Sequence, residues 1–141
     1  MLLNVSYNNP EVKKKIDEAV GKPFTLRDRI KMGGIGSPKL HITSTSVEIN
    51  NLLILDNNLN TCNIEMRPQG IILGFRSLLE SYALIIPYYK LSIYKGQAEE
   101  YGIYRDKYFV KIRARKQDTS AHKFIKKVMD HKADTLPRDP F

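Results

Sequence analysis

A chain of 141 residues with 27% charged and 42% hydrophobic side chains has the size and composition of one folded domain, which excludes both a disordered segment and a miniature held together only by disulfides or metal. The formal net charge is +8, and ten basic residues against three acidic ones fall between Arg105 and Lys132, so +7 of the excess lies in that stretch. A localised positive field selects for anionic partners and against cationic ones.

The single cysteine, Cys62, admits no internal disulfide and favours a reducing compartment. The opening MLLNVSYNN lacks the basic and long apolar regions of a secretory signal, and no 18-residue apolar window exists. These features predict a cytoplasmic protein with no transmembrane segment, in which the sequon Asn4-Val5-Ser6 is a chance match.

Three regions are expected: an N-terminal extension, 1–38, with a short helix and a glycine-rich linker; a β domain, 39–133; and a tail, 134–141. In the extension, Asn9-Pro10-Glu11 reads as a helix start, with Asn as cap, Pro at the first helical position and an acid in the first turn. Val12, Ile16, Ala19 and Val20 form one stripe, and Gly21 followed by Pro23 is a stop, which predicts a helix over Pro10–Val20. Phe24–Met32 is ambiguous: its apolar spacing suits a strand, while Thr25-Leu26-Arg27-Asp28 resembles a capping box, and irregular structure or a short helix is expected. Lys31–Pro38, with three glycines, reads as a hinge or linker.

From Lys39 the pattern is strand after strand. His41–Ile49 and Leu52–Leu55 read as two strands, or as one interrupted by a bulge at Asn50-Asn51. Asp56-Asn57-Asn58 is a turn. Thr61–Met66 alternates with Cys62, Ile64 and Met66 on one face, and Arg67-Pro68-Gln69-Gly70 turns the chain. Ile71–Phe75 and Tyr82–Ile86 follow, joined by Arg76–Ser81, and Pro87 ends the second because proline cannot donate to a ladder. Leu91–Tyr94, Gly102–Arg105 and Tyr108–Arg115 complete the set. Short strands with local turns predict an antiparallel barrel or sandwich, and no crossover helices are available for a parallel sheet.

The last element is an amphipathic helix over Asp118–Ala133, capped by Asp118, Thr119 or Ser120. Ala121, Phe124, Ile125, Val128 and Met129 recur at helical spacing. The fold class expected is therefore mainly β with a C-terminal helix (α+β): seven or eight antiparallel strands in a closed barrel or sandwich, capped by one helix and preceded by a short N-terminal one.

The run Gly70-Ile71-Ile72-Leu73, the run Leu84-Ile85-Ile86-Pro87-Tyr88-Tyr89-Lys90-Leu91, the strand Tyr108–Arg113 and Phe124-Ile125 in the helix are, in that order, similar to the pleckstrin-homology-like fold in its bacterial and GRAM-type branches. The resemblance covers about residues 39–133. It implies two nearly orthogonal sheets with the helix plugging one open end, and a non-enzymatic binding or scaffold role. Two departures accompany it. The tryptophan common in the closing helix of eukaryotic members is replaced by Phe124. The first hairpin loop, Asn50-Asn51 or Asp56-Asn57-Asn58, lacks the basic cluster that holds phosphoinositides, so lipid specificity does not transfer.

In Tyr108–Arg115, period two places Tyr108, Val110, Ile112 and Ala114 inward and Phe109, Lys111, Arg113 and Arg115 outward, a row of cations about 7 Å apart. With Lys116, Lys123 and Lys127 these form the candidate anion-binding set, Lys111, Arg113, Arg115, Lys116, Lys123 and Lys127, for an anionic protein or membrane surface. The bland alternative is a solvated face or a cation-guarded edge strand. Nucleic acid is the second partner class, through Lys111, Arg113 and Arg115 with Tyr104 and Phe109. Seven of the eight tyrosines lie between Tyr82 and Tyr108, but strands favour tyrosine for other reasons.

Gly33–Lys39 fails the phosphate-loop spacing. His41, His122 and His131 are dispersed and lack zinc spacing, and Glu48, Glu65 and Glu80 stand singly, so neither metal, cofactor nor catalytic residues are indicated. Cys62 with His41 would need a proximity that spacing does not supply. Tyr82–Ile86 is apolar on both faces and so needs cover on both: the helix Pro10–Val20, or a second subunit in a homo-oligomer.

Overall fold

The computed structural model describes residues 1–55, 60–97 and 99–136. Among these, eight strands form one antiparallel sheet: β1 (Leu2–Asn4), β2 (Leu40–Thr45), β3 (Thr61–Arg67), β4 (Gly70–Ser77), β5 (Glu80–Pro87), β6 (Ser92–Lys95), β7 (Glu100–Arg105) and β8 (Tyr108–Arg113). Four α-helices accompany them: α1 (Pro10–Val20), α2 (Leu26–Met32), α3 (Val47–Leu53) and α4 (Thr119–Thr135). The strand order is β1-β5-β4-β3-β2-β8-β7-β6.

The sheet bends at β2. This strand pairs with β3 through Leu40 and His41 and with β8 from Ile42 to Thr45, and its register to β8 shifts between Ile42 and Ser44. An extra residue in one strand kinks it and raises its twist, so one half of the sheet folds toward the other and α4 lies in the mouth between them. Phe124, Ile125 and Val128 of α4 are 5%, 2% and 0% exposed within the main core, as their helical spacing predicts. Fully burying side chains of this kind stabilises by roughly 1.5–3 kcal/mol each.

The sheet does not close into a barrel, contrary to the sequence expectation: β1 and β6 are both free edges. Pro87 and the 3-10 turn Tyr88–Lys90 carry the chain away from β5 before β6 begins, and β1 then takes the edge of β5 through Leu2↔Leu84 and Asn4↔Tyr82. Arg105 of β7 spans the opening, donating to the Ile85 carbonyl.

The α1 signals act as the sequence suggests. The Asn9 side chain accepts from the Glu11 N–H at 2.9 Å, Pro10 opens the helix, and Gly21 ends it at φ 87°. Ile16, Ala19 and Val20 pack on Ala83 and Ile85, so α1 covers the second face of β5 without a second subunit. Arg67 anchors the end of the helix, donating to the Gly21 carbonyl at 2.8 Å and to Asp17 at 3.1 Å. Gly70 permits the close approach, since a Cβ there would lie 2.4 Å from both Val20 Cγ1 and the Ile86 carbonyl oxygen.

Residues 46–55 depart from the expected strands. The chain leaves the sheet after Thr45, and Ser46, in an extended conformation, opens α3. Ile49 and Leu53, four apart, are buried, while Val47 and Ile54 are exposed. Thus β-branched residues that favour a strand by composition lie on the outer side of a helix whose spacing is set by the core. The short-helix alternative for Phe24–Met32 is the one adopted: Thr25 Oγ1 accepts from the Asp28 N–H, and Gly33 closes α2 in the left-handed region. The glycine-rich segment is tied to β3, with Ser37 N–H donating to Ile64 and Met66 N–H donating to Ile35, both at 2.8 Å. The turn expected at Asp56-Asn57-Asn58 lies outside the described residues. At the C-terminus, α4 continues to Thr135, two residues into the expected tail.

Candidate functional site

Three neighbouring strands build an exposed surface on the outer side of β6, β7 and β8. In β8 the inward residues Val110 and Ile112 are fully buried, and Ala114 beyond it is nearly so, which leaves Phe109, Lys111 and Arg113 on the other face. The register places Tyr104 opposite Phe109, Gly102 opposite Lys111 and Glu100 opposite Arg113, and sets Tyr94 beside Gly102. Tyr94, Tyr104, Phe109, Lys111 and Arg113 therefore share one face.

The rings touch in sequence across the strands. Tyr104 and Phe109 are stacked with centroids 5.6 Å apart, and Tyr94 meets Tyr104 edge-on at 5.7 Å. The Lys111 ammonium stands 5.8 Å from the Phe109 centroid, within cation–π range. Gly102 makes this possible: a Cβ there would lie 2.6 Å from the Tyr104 ring, so only glycine lets that ring lie down on the sheet.

The surrounding charges are partly matched. Glu100 accepts from the Thr43 hydroxyl at 2.8 Å. Lys107 pairs with Glu48 at 2.9 Å. Its hydrogen bond holds the Glu48 carboxyl below the usual range, with Tyr108 adding to the effect, while Glu48 raises Lys107. Arg113 is exposed and, among the described residues, makes no ion pair. Arg115 is held in place by its backbone: its N–H donates to Asp118 at 2.9 Å and its carbonyl accepts from His122 Nε2 at 2.9 Å, while Asp118 also faces its guanidinium at 3.8 Å. A carbonyl can only accept, so His122 Nε2 is the donor there, and its Nδ1 forms a hydrogen bond with the Tyr101 hydroxyl at 2.8 Å.

The six sequence candidates do not form one patch. Lys111 and Arg113 lie on the ring-bearing face. Arg113 and Arg115 also border a crevice of about 300 Å³ with Lys39, His41 and the first residues of α4. Lys116 is exposed in the turn before α4. Lys123 and Lys127 line a separate groove with Met32 of α2, and Lys127 donates to the Gly34 carbonyl at 3.2 Å, capping the end of α2. Lys39 and His41, together with Arg76, border a concavity of about 970 Å³ on the neighbouring surface. Lys39, His41, Arg76 and Tyr94 are absent from the sequence-derived set. Phasing β6 against β7 would have found Tyr94, but the bulge in β2 that brings Lys39 and His41 beside Arg113 has no sequence signature.

The nucleophile pair does not assemble. Cys62 pairs with Leu40 on the inward face, whereas His41 is the next residue and points outward. Burial pushes the Cys62 thiol up to about 12, leaving it protonated at neutral pH. His131 sits among Phe24 and Tyr88 rings at 5.8 and 5.5 Å. Among the described residues no three His, Cys, Asp or Glu are grouped to hold a metal ion, and no helix is long and apolar enough to cross a membrane.

No protein-family model, curated protein or solved structure matches the chain.

Proposed function

We propose that the chain is a non-enzymatic, pleckstrin-homology-like binding or scaffold domain of the cytoplasm, whose basic face on β8 receives an anionic partner, a protein or membrane surface. The scaffold half of this reading is supported by seven antiparallel strands, β2 to β8, bent at β2 around a C-terminal helix with Phe124, Ile125 and Val128 in the core. The binding half is carried by one observation: Lys111 and Arg113 stand on a sheet face that no helix covers among the described residues, whereas the equivalent face at β5 is buried under α1. The dispersal of the histidines and the burial of Cys62 support a binding role over turnover.

A second reading, a nucleic-acid binder, is favoured by the contact of Tyr94, Tyr104 and Phe109 beside those cations. Self-association finds no ground in β5, which α1 covers; a homo-oligomer would instead use exposed apolar positions such as Leu26 and Ile30 of α2. The test is a binding assay at low ionic strength against anionic vesicles, an acidic peptide and an oligonucleotide. At least one should bind and weaken as salt is added. Failure of all three would reduce the basic face to a solubility feature.

A further inference from the structure

We infer that the outward face of β6, β7 and β8 takes single-stranded nucleic acid, with unpaired bases on Tyr94, Tyr104 and Phe109 and the backbone along Lys111 and Arg113. This rests on the reading of β8 as the binding face and, of the two partner readings set out for it, takes the second, nucleic acid, and narrows it to single strands.

Flat rings exposed beside cations are what a single strand requires, because each unpaired base offers a π face and each linkage a negative charge. Tyr94 is 63% exposed, and Tyr104 and Phe109 are only partly buried, so ring surface remains available. The three rings run across the strands in contact, while Lys111 and Arg113 lie two residues apart along β8, about 7 Å. Bases and backbone would thus follow neighbouring tracks. Duplex is a poorer fit, since its bases are already stacked and present no free face. A membrane is poorer too: Tyr104 lies down over Gly102 instead of projecting as a wedge. Glu100 is the only acid within β6, β7 and β8, and it lies opposite Arg113 while accepting from Thr43, which turns the favourable path toward Lys111.

The experiment is fluorescence anisotropy with oligothymidylate, oligouridylate and a duplex of equal length, measured over a range of salt, alongside anionic vesicles and an acidic peptide. Single strands should bind more tightly than duplex. Tyr94→Ala and Phe109→Ala should each weaken single-strand binding about tenfold with an unchanged salt slope, and Tyr94→Phe should bind as the parent does. Lys111→Ala and Arg113→Ala should each flatten the log–log salt slope by about 0.7. Thermal unfolding of each variant checks that it folds; should Phe109→Ala not fold, the exposed Tyr94 position decides. Equal binding of duplex and single strand, or ring variants that bind like the parent, would overturn the inference while leaving an anionic-partner reading intact. Binding of vesicles or peptide without oligonucleotide would do the same. No binding of any of these ligands would remove both.

Discussion

The sheet has two outer surfaces, and they have met opposite ends. Over β5 the outward residues include Ala83 and Ile85, apolar groups that water would not tolerate in a row, and α1 lies on them through Ile16, Ala19 and Val20. Over β8 the outward residues are Phe109, stacked on Tyr104, and Lys111 and Arg113, whose charged ends can stay wet, and among the described residues no helix covers them. A strand apolar on both faces draws a second layer, whereas one with a cationic outer face keeps that face available. Lys111 and Arg113 thus stand on an uncovered face, while Lys123 and Lys127 lie in a separate groove beside α2.

The largest expected effect lies on the covered side. Ile85→Ala should destabilise by about 2–5 kcal/mol, the cost of a cavity at a fully buried aliphatic site, seen as a lower denaturant midpoint. Gly70→Ala should act in the same direction, because its Cβ meets backbone at the Ile86 carbonyl oxygen as well as Val20. Next, Asn9→Ala should remove the α1 cap and cost about 1 kcal/mol. A sharper contrast comes from Cys62, whose thiol is buried: a maleimide reagent should label it only after denaturant unfolds the chain, and rapid labelling of the native protein would show that the core is open. Smallest of all, Lys111→Ala should change stability by no more than about 0.5 kcal/mol, and a larger loss would mean that the cation braces the sheet.

Much of the fold is visible in the residue pattern. Local signals were enough where the pattern and the core agree: Asn9-Pro10 and Gly21 bound α1, and the 3.6-residue recurrence of Phe124, Ile125 and Val128 marks the helix that fills the mouth of the sheet. They misled where the short run Val47–Leu53 carries both strand-favouring residues and an i, i+4 pair, Ile49 and Leu53, and tertiary packing chose the helix. Closure was beyond reach as well, because whether β5 meets β6 depends on how Pro87 and the following turn redirect the chain. Of the candidate site, the alternation Phe109, Lys111, Arg113 was legible from period two. Tyr104 was named beside it from the sequence, whereas Tyr94 needed the cross-strand register, and the separation of Lys123 and Lys127 from that face needed the docking of α2 on α4.

The most direct measurement is a nuclear magnetic resonance titration of the labelled protein with oligothymidylate, following backbone amides strand by strand. Signals of Tyr94, Tyr104, Phe109, Lys111 and Arg113 should move together, with those of α1 and Ala83 unmoved. Shifts confined to the groove of Lys123 and Lys127, or an unchanged spectrum at low salt, would contradict the assignment of the uncovered face as the binding surface.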